Sequence, residues 1–180
     1  TQMFSEVVHL QRLVDDLLSL TKLQNPDFKM DKQWINLSEL LSDVTRSMRQ
    51  VALKKNITLQ LDNPYPSIAF EGDYGRLRQM VMVVLDNAIK FSSNEDKIQI
   101  IMSCKEDECQ LQIIDQGRGI SKEDIPYVFD RFHQGLKESN LSGTGLGLAI
   151  AKEIANRHEM KITVDSEEFV QTTFTFIFKI

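Results

Sequence analysis

Apolar side chains recur along the first 24 residues at the spacing of a long amphipathic helix. This stripe consists of Val7, Leu10, Leu13, Val14, Leu17, Leu18 and Leu20. Such a stripe needs a partner helix, and the other helical segments are needed elsewhere in the chain. Residues 1–24 are therefore predicted to be one arm of a helical hairpin or dimeric bundle. The helix is predicted to end at Asn25-Pro26, because proline disfavours helix in the residue before it. Residues 25–35 are a predicted linker.

The rest of the chain, 36–180, alternates between the helical period and the strand period. Asn36 and Asp73 precede two helices with long apolar faces, and Glu39 stands where a capping-box partner belongs. A further helix is predicted over 145–158, and a short one, capped by Ser121 with Asp124, ends at Phe129. The predicted strands are 57–61, 67–70, 97–103, 109–115, 161–165 and 172–178.

Strand pairs that adjoin in sequence, with helices between the pairs, indicate an α+β fold. We expect a two-layer α/β sandwich, in which three main helices cover one face of a mixed, mostly antiparallel sheet. The N-terminal amphipathic helix is additional.

Composition narrows the class of protein. The chain of 180 residues has a formal net charge of -5, which argues against a nucleic-acid partner. No apolar run is long enough to cross a membrane, and the first residues, TQMFSEVVHL, lack a signal-peptide layout, so a soluble domain is expected. Cys104 and Cys109 are predicted to be thiols on neighbouring strands. The three histidines are too scattered for a metal site.

Five of the eight glycines fall in two short loops, DQGRGI and SGTGLGLAI. Gly143, Gly145 and Gly147 run directly into a predicted helix, whose N-terminus favours an anion, so the second loop is a candidate phosphate cradle. A bare glycine-rich turn is the alternative. The loop matches neither a Walker A motif nor a dinucleotide fingerprint.

Two polar residues are candidates for ligand contacts. Asp115 ends a predicted strand just before a Gly-x-Gly turn, where its carboxylate can accept a hydrogen bond from an exocyclic amine such as that of adenine; alternatively it only caps the turn. Asn87 offers an oxygen suited to Mg²⁺, or is a solvated amide on the shoulder of its helix. The neighbouring Asp86 is predicted to be a solvated carboxylate.

These segments together resemble the nucleotide-binding boxes of sensor histidine kinases, in the superfamily that includes gyrase, Hsp90 and MutL. LDNAIKFS resembles the N box, DQGRGI the first glycine box, FDRFHQ the phenylalanine box and SGTGLGLAIAKEI the second glycine box. All four stand in the family's order, and the resemblance covers about residues 36–180. RLVDDLLSLTKLQ also resembles the second helix of the family's dimerisation and phosphoacceptor hairpin.

The resemblance implies a role for each matched position. Asn87 becomes the Mg²⁺ ligand, Lys90 a phosphate contact, and Phe91 replaces the usual tyrosine beside the nucleotide. The base pocket would be formed by Asp115, which selects adenine, by Gly117 and Gly119, and by Ile120.

The remaining implied contacts lie around a mobile lid of roughly residues 130–144. Phe129 and Phe132 would anchor the lid, and Arg131 would reach the terminal phosphate. The second glycine box would bind phosphate through Gly143, Thr144, Gly145, Leu146 and Gly147. A loop that is merely disordered is the alternative to a gating lid.

Departures from the family pattern also carry predictions. Val83 stands where many relatives have asparagine and hydrolysing relatives have a glutamate base, so slow ATP hydrolysis is expected. Gln116 is a milder replacement of asparagine in the first glycine box. No His-Glu/Asp-x-x-Thr/Asn-Pro motif is present. We therefore expect His9, His133 and His158 to be structural and the phosphoacceptor to lie outside these residues.

The resemblance implies the ATP-binding catalytic domain of a two-component sensor histidine kinase. Its cofactors would be ATP and Mg²⁺, and its partners the phosphoacceptor hairpin of a homodimeric parent and a response regulator. The domain is expected to be cytoplasmic and the parent membrane-anchored. An ATP-hydrolysing conformational ATPase of the same superfamily and a non-catalytic nucleotide-sensing module are the alternatives.

Overall fold

The computed structural model describes residues 2–134 and 143–180, so part of the predicted lid lies outside the described residues. The helices are α1 (Gln2–Gln24), α2 (Leu37–Leu53), α3 (Tyr74–Phe91) and α4 (Gly147–Arg157). The strands are β1 (Gln33–Asn36), β2 (Thr58–Asp62), β3 (Ala69–Gly72), β4 (Lys97–Lys105), β5 (Glu108–Asp115), β6 (Lys161–Glu167) and β7 (Gln171–Lys179).

Five strands form one mixed sheet in the order β2-β4-β5-β7-β6. Only β2 and β4 are parallel, and the other neighbours are antiparallel. Alternate residues of the three central strands are buried on the same face of this sheet. They are Ile98, Ile100 and Met102 on β4, Cys109, Leu111, Ile113 and Asp115 on β5, and Thr172, Phe174, Phe176 and Phe178 on β7. The α+β fold is therefore confirmed.

The helices α2, α3 and α4 lie against this buried face, and their starts follow the sequence signals. Asp73 caps α3, and its carboxylate accepts a hydrogen bond from the Arg76 N–H at 3.1 Å. Asn36 caps α2 by accepting from the Ser38 N–H at 3.0 Å. The apolar face predicted for α3 is buried, which places the polar shoulder beside that face at the edge of the core.

Helix α1 packs against α4 through its C-terminal half, where Leu20 and Leu23 are completely buried. Arg76 on α3 donates a hydrogen bond to the Ser19 hydroxyl at 3.1 Å and adds a polar contact to this packing. Leu13 is half-buried, and the remaining residues of the predicted stripe face solvent. These are Val7, Leu10, Val14, Leu17 and Leu18, which are 42 to 59% exposed.

Two local features differ from the sequence-based expectation. Gln33–Asn36 forms strand β1, antiparallel to β3, although most of it was assigned to the linker. Its four residues are too few to establish a period-two pattern, and the partner strand is distant in sequence. The short helix before Phe129 is a 3-10 turn over Ile125–Tyr127.

The prediction of two thiols is wrong, because Cys104 and Cys109 form a disulfide. The two residues are on neighbouring strands, as predicted, and they lie directly opposite each other in the β4–β5 register with their Cα atoms 4.0 Å apart. The direct opposition of the two residues across the hairpin brings their sulfur atoms together, and it was not inferred from the sequence. No helix in residues 2–134 or 143–180 is long and apolar enough to cross a membrane.

Candidate functional site

A cavity of about 1200 Å³ opens between the helical layer and one end of the sheet. Its walls come from the C-terminal half of α3, the loop after β5, the start of α4, the β6–β7 turn and one face of α1. His133 and Gln134 at the end of FDRFHQ also line it, so the fold brings together all four sequence segments that were predicted to form one site.

Asp115 lies at the inner end of the cavity, at the last position of β5. It is 4% exposed, and its Oδ1 accepts a hydrogen bond from the Gly117 N–H at 2.9 Å. Burial raises the pKa of Asp115 from 3.8 to about 6, against the opposing effect of that hydrogen bond. Its Oδ2 makes no hydrogen bond within the part of the chain that the structure describes, so it is the oxygen placed to accept one from a ligand.

The glycines beside Asp115 are required by close backbone approaches. A Cβ on Gly117 would lie 2.6 Å from the Phe91 carbonyl oxygen, and one on Gly119 would lie 2.3 Å from that of Glu167. Gly119 also has a φ of +68°, which side-chain-bearing residues rarely adopt. The first glycine box thus holds α3, β5 and the β6–β7 turn together. Ile120 follows at the cavity wall, and its N–H donates to the Ser166 hydroxyl at 2.8 Å.

The shoulder of α3 supplies the cationic part of the wall. Asn87, Lys90 and Phe91 all line the cavity, and burial lowers the pKa of Lys90, partly offset by Asp86. Phe91 contacts two cations, with its ring centroid 5.0 Å from Lys90 Nζ and 4.4 Å from the Arg118 guanidinium carbon. These contacts fix the orientations of both cations at the cavity wall.

The second glycine box closes the opposite wall. Gly145 has a φ of +71°, and a Cβ there would lie 2.8 Å from the Phe132 Cα. A Cβ on Gly143 would lie 2.7 Å from Lys90 Nζ, and one on Gly147 would lie 3.2 Å from Val83 Cγ1. Helix α4 therefore begins directly beside α3, with its N-terminus at the cavity, an arrangement that suits a bound anion.

Residues 72–180 match the family described as "Histidine kinase-, DNA gyrase B-, and HSP90-like ATPase". The chain belongs to this family. ATP is therefore the nucleotide expected of this ATPase-family domain, and the predicted membership of the superfamily that includes gyrase and Hsp90 is confirmed.

Curated relatives of this ATPase-family chain include sensor histidine kinases, which confirms the predicted resemblance to that family. It is 34% identical to the sensor histidine kinase YkoH and 31% identical to the sensor histidine kinase WalK, both of Bacillus subtilis. The matches cover 97% and 96% of this chain but only 37% and 29% of the two relatives. The chain thus spans only about a third of the length of these proteins.

Solved structures show the same fold. The histidine kinase AdeS of Acinetobacter baumannii matches 99% of this chain and 82% of its own with a TM-score of 0.80 at 24% identity. A structure of full-length ShkA in complex with AMPPNP matches 94% of this chain and 35% of its own with a TM-score of 0.81 at 26% identity.

Four residues predicted to contact nucleotide in this ATPase-family domain do not line the cavity: Gly117, Arg131, Phe132 and Leu146. Arg131 donates a hydrogen bond to the Gln24 side chain on α1. Phe132 is 58% exposed, and its N–H donates to the Gly145 carbonyl oxygen at 2.8 Å. Leu146 is completely buried in the core. Phe132 and Leu146 therefore support the shape of the second glycine box from outside the cavity.

Several residues of the cavity wall were not predicted from the sequence. They include Arg118, Ser166, Phe169 and Thr172, together with His9, Arg12 and Asp16 on α1. Thr172 on β7 lies directly opposite Asp115 on β5. The alternation of each strand predicts which residues share a face, but the pairing of these two residues depends on the register between the strands. Asp86 is exposed, as predicted, and also borders the cavity.

His158 and His133 each contact neighbouring residues. His158 is buried, its Nε2 accepts a hydrogen bond from the Asp73 N–H at 3.0 Å, and its Nδ1 lies 2.8 Å from the Ile154 carbonyl oxygen. Burial lowers the pKa of His158, so the neutral ring is favoured. His133 borders the cavity, with its Nε2 3.4 Å from Asp124 Oδ1.

The donor set fits a Mg²⁺ ion that comes with the nucleotide. Asn87 presents an amide oxygen at the cavity wall, and Val83, one turn earlier, has no ligand atom. Within residues 2–134 and 143–180, no group of three His, Cys, Asp or Glu side chains could hold a metal ion. Mg²⁺ commonly takes few protein ligands and completes its coordination with substrate phosphates and water, and a single oxygen ligand from Asn87 is compatible with that mode.

Proposed function

We propose that this domain binds Mg²⁺-ATP in the cavity and transfers the γ-phosphoryl group to a histidine of a phosphoacceptor hairpin, which supplies a response regulator. The observation that carries the proposal is the juxtaposition of Asp115, Lys90 and the start of α4 around one cavity. Asp115 accepts the adenine amine, while Lys90 and the N-terminus of α4 bind the phosphates. When bound, the Mg²⁺ ion neutralises phosphate charge during transfer.

The residues of the chain then have separate tasks. Oδ2 of Asp115 binds the base, and the Gly117 N–H keeps the other carboxylate oxygen in place. Asn87 holds the metal, and Lys90 lies next to Gly143 at the phosphate end, which supports the predicted contact. Phosphoryl transfer depends mainly on such positioning and charge stabilisation, so no covalent protein intermediate is needed.

Val83 favours transfer over hydrolysis. It lines the cavity one helical turn before Asn87, and a valine can neither ligate metal nor activate water. The isolated chain should therefore bind ATP without sustained release of inorganic phosphate. Sustained release would support the alternative, an ATP-hydrolysing conformational ATPase. ATP binding without transfer to an added phosphoacceptor hairpin would support a nucleotide-sensing module.

The proposed partners rest on the exposed stripe of α1 and on the relatives. Five apolar residues of α1 face solvent at the spacing of a helical bundle, which supports a hairpin arm in a homodimeric parent. The histidine kinase ThkA has been solved in complex with the response regulator TrrA, and that structure has a TM-score of 0.78 at 20% identity to this chain. A membrane-anchored parent, with this domain in the cytoplasm, completes the proposal.

A further inference from the structure

Helix α1 has two faces with different surroundings. The apolar stripe around Leu10, Val14 and Leu17 is exposed to solvent. The face with His9, Arg12 and Asp16 lines the nucleotide cavity instead. These three positions follow the i, i+3, i+7 spacing of one helical face, so the middle of α1, residues 9–16, extends along the cavity.

A polar contact fixes the distance between this face and the phosphate end. The Thr144 hydroxyl in the second glycine box donates to Asp16 Oδ2 at 2.6 Å. The neighbouring Gly143 approaches Lys90, because a Cβ on Gly143 would lie 2.7 Å from Lys90 Nζ. Asp16 is thus adjacent to the wall that the proposed function assigns to the phosphates.

Arg12 lies one helical turn before Asp16 and on the same face. It lines the cavity together with Asn87 and Lys90, and it makes no hydrogen bond or ion pair with another residue in 2–134 or 143–180. Arg131, the arginine expected at the terminal phosphate, contacts Gln24 instead. The described structure therefore offers a different arginine to the phosphate end.

We propose that Arg12 binds the terminal phosphates of ATP, so that α1 contributes directly to the nucleotide site. This inference rests on the proposed function. The planar guanidinium can form paired hydrogen bonds with phosphate oxygens, which a lysine cannot reproduce. The contact makes nucleotide affinity depend on the position of α1, because Arg12 reaches the phosphates only when α1 is packed on α4.

Calorimetric titration of ATP and adenosine into the 180-residue chain tests the inference. Arg12→Ala should weaken ATP binding about tenfold and leave adenosine binding unchanged, because only the phosphate contact is lost. Arg12→Lys should give an intermediate ATP affinity. Lys22→Ala is the matched control, since it removes one exposed positive charge from the same helix outside the cavity and should change neither affinity.

A second variant tests the placement of α1 through the opposite effect, a gain in ATP affinity. Asp16→Asn keeps an oxygen for the Thr144 hydroxyl and removes a negative charge near the phosphates, so ATP should bind about two- to fivefold more tightly. Weaker ATP binding in this variant would contradict the placement of α1.

The outcomes separate the inference from the proposed function. If Arg12→Ala and Lys22→Ala bind ATP equally well, or if Arg12→Ala weakens adenosine as much as ATP, the role of Arg12 is wrong while the ATP site stands. If the wild-type chain binds no ATP, the proposed function itself fails. Circular dichroism of each variant confirms that the exposed substitutions leave the fold unchanged.

Discussion

Replacing Asp115 by asparagine tests the base-binding end of the cavity with little change of shape. In the wild type, Oδ1 accepts from the Gly117 N–H at 2.9 Å and Oδ2 is placed for the adenine amine. Asparagine has one oxygen for these two donors. If that oxygen stays with Gly117, the side-chain NH₂ faces the amine of adenine, and two donors oppose each other.

Asp115→Asn should have two opposite effects, a loss of ATP affinity and a gain in the stability of the ligand-free protein. A hydrogen bond to a charged group contributes about 1.5–3 kcal/mol, so Asp115→Asn should weaken ATP binding roughly 10- to 150-fold. In the ligand-free protein the same change removes a buried charge. A pKa raised from 3.8 to about 6 corresponds to about 3 kcal/mol against the ionised form above pH 6.

The pH dependence has a definite sign. Because the pKa of Asp115 is higher in the folded protein, its favourable contribution to folding is complete below pH 3.8 and lost as the pH rises through about 6. Asp115→Asn should therefore be more stable than the wild type at pH 7.5, and the difference should shrink towards pH 4. Conversely, wild-type ATP affinity should fall as the pH drops through about 6, whereas that of the variant should lack this step.

Calorimetry with ATP and inosine triphosphate, combined with thermal unfolding at several pH values, measures these effects. Inosine triphosphate carries a carbonyl oxygen in place of the amine, so the asparagine NH₂ can donate to it, and the preference for ATP should decrease in the variant. Unchanged ATP affinity and unchanged preference would refute the role of Asp115 in base recognition.

Four further substitutions test other parts of the account. Asn87→Ala should weaken ATP binding in Mg²⁺ far more than in EDTA, as measured by calorimetry; equal losses would indicate a packing role. Gly119→Ala should lower the free energy of unfolding by at least about 1–2 kcal/mol in a urea titration, because Gly119 has a positive φ and lies close to Glu167. Gly75→Ala is the control and should not destabilise the protein, because a Cβ there meets nothing closer than 3.6 Å. Because burial lowers the pKa of His158, the stabilising contribution of the neutral ring is present above pH 6.5 and lost at lower pH. The Tm of the wild type should therefore fall more steeply between pH 7 and 5 than the Tm of His158→Gln. Parallel curves would exclude this linkage. Cys104→Ser should cost about 2 kcal/mol and abolish the effect of reductant on Tm, and a variant that still responds to reductant would show that the disulfide is not the cause.

Local sequence was sufficient to predict the main elements of the fold. The apolar face of α3 and the cap at Asp73 lie within one segment, and the β4–β5 hairpin joins strands that adjoin in sequence. The short strand β1 was missed because its pairing with β3 depends on contacts between segments far apart in the chain.

The candidate site likewise contains residues that local sequence predicted and residues that depend on distant contacts. Gly119 and Gly145 were predictable because the glycine loops themselves need unusual backbone conformations. Arg12 and Thr172 line the cavity only because α1 packs on α4 and β7 pairs with β5. Arg131 stands in a matching motif, but its side chain contacts Gln24 on α1, so the motif alone did not determine its position.

The fate of the γ-phosphoryl group tests the central claim most directly. The chain is incubated with Mg²⁺ and γ-labelled ATP, together with a hairpin fragment of its parent that bears the acceptor histidine; a fragment with His→Ala at that position is the control. The account predicts acid-labile, base-stable label on the histidine fragment alone, lost with Asn87→Ala. Bound ATP with no label on that fragment, or steady release of inorganic phosphate in its place, would contradict it.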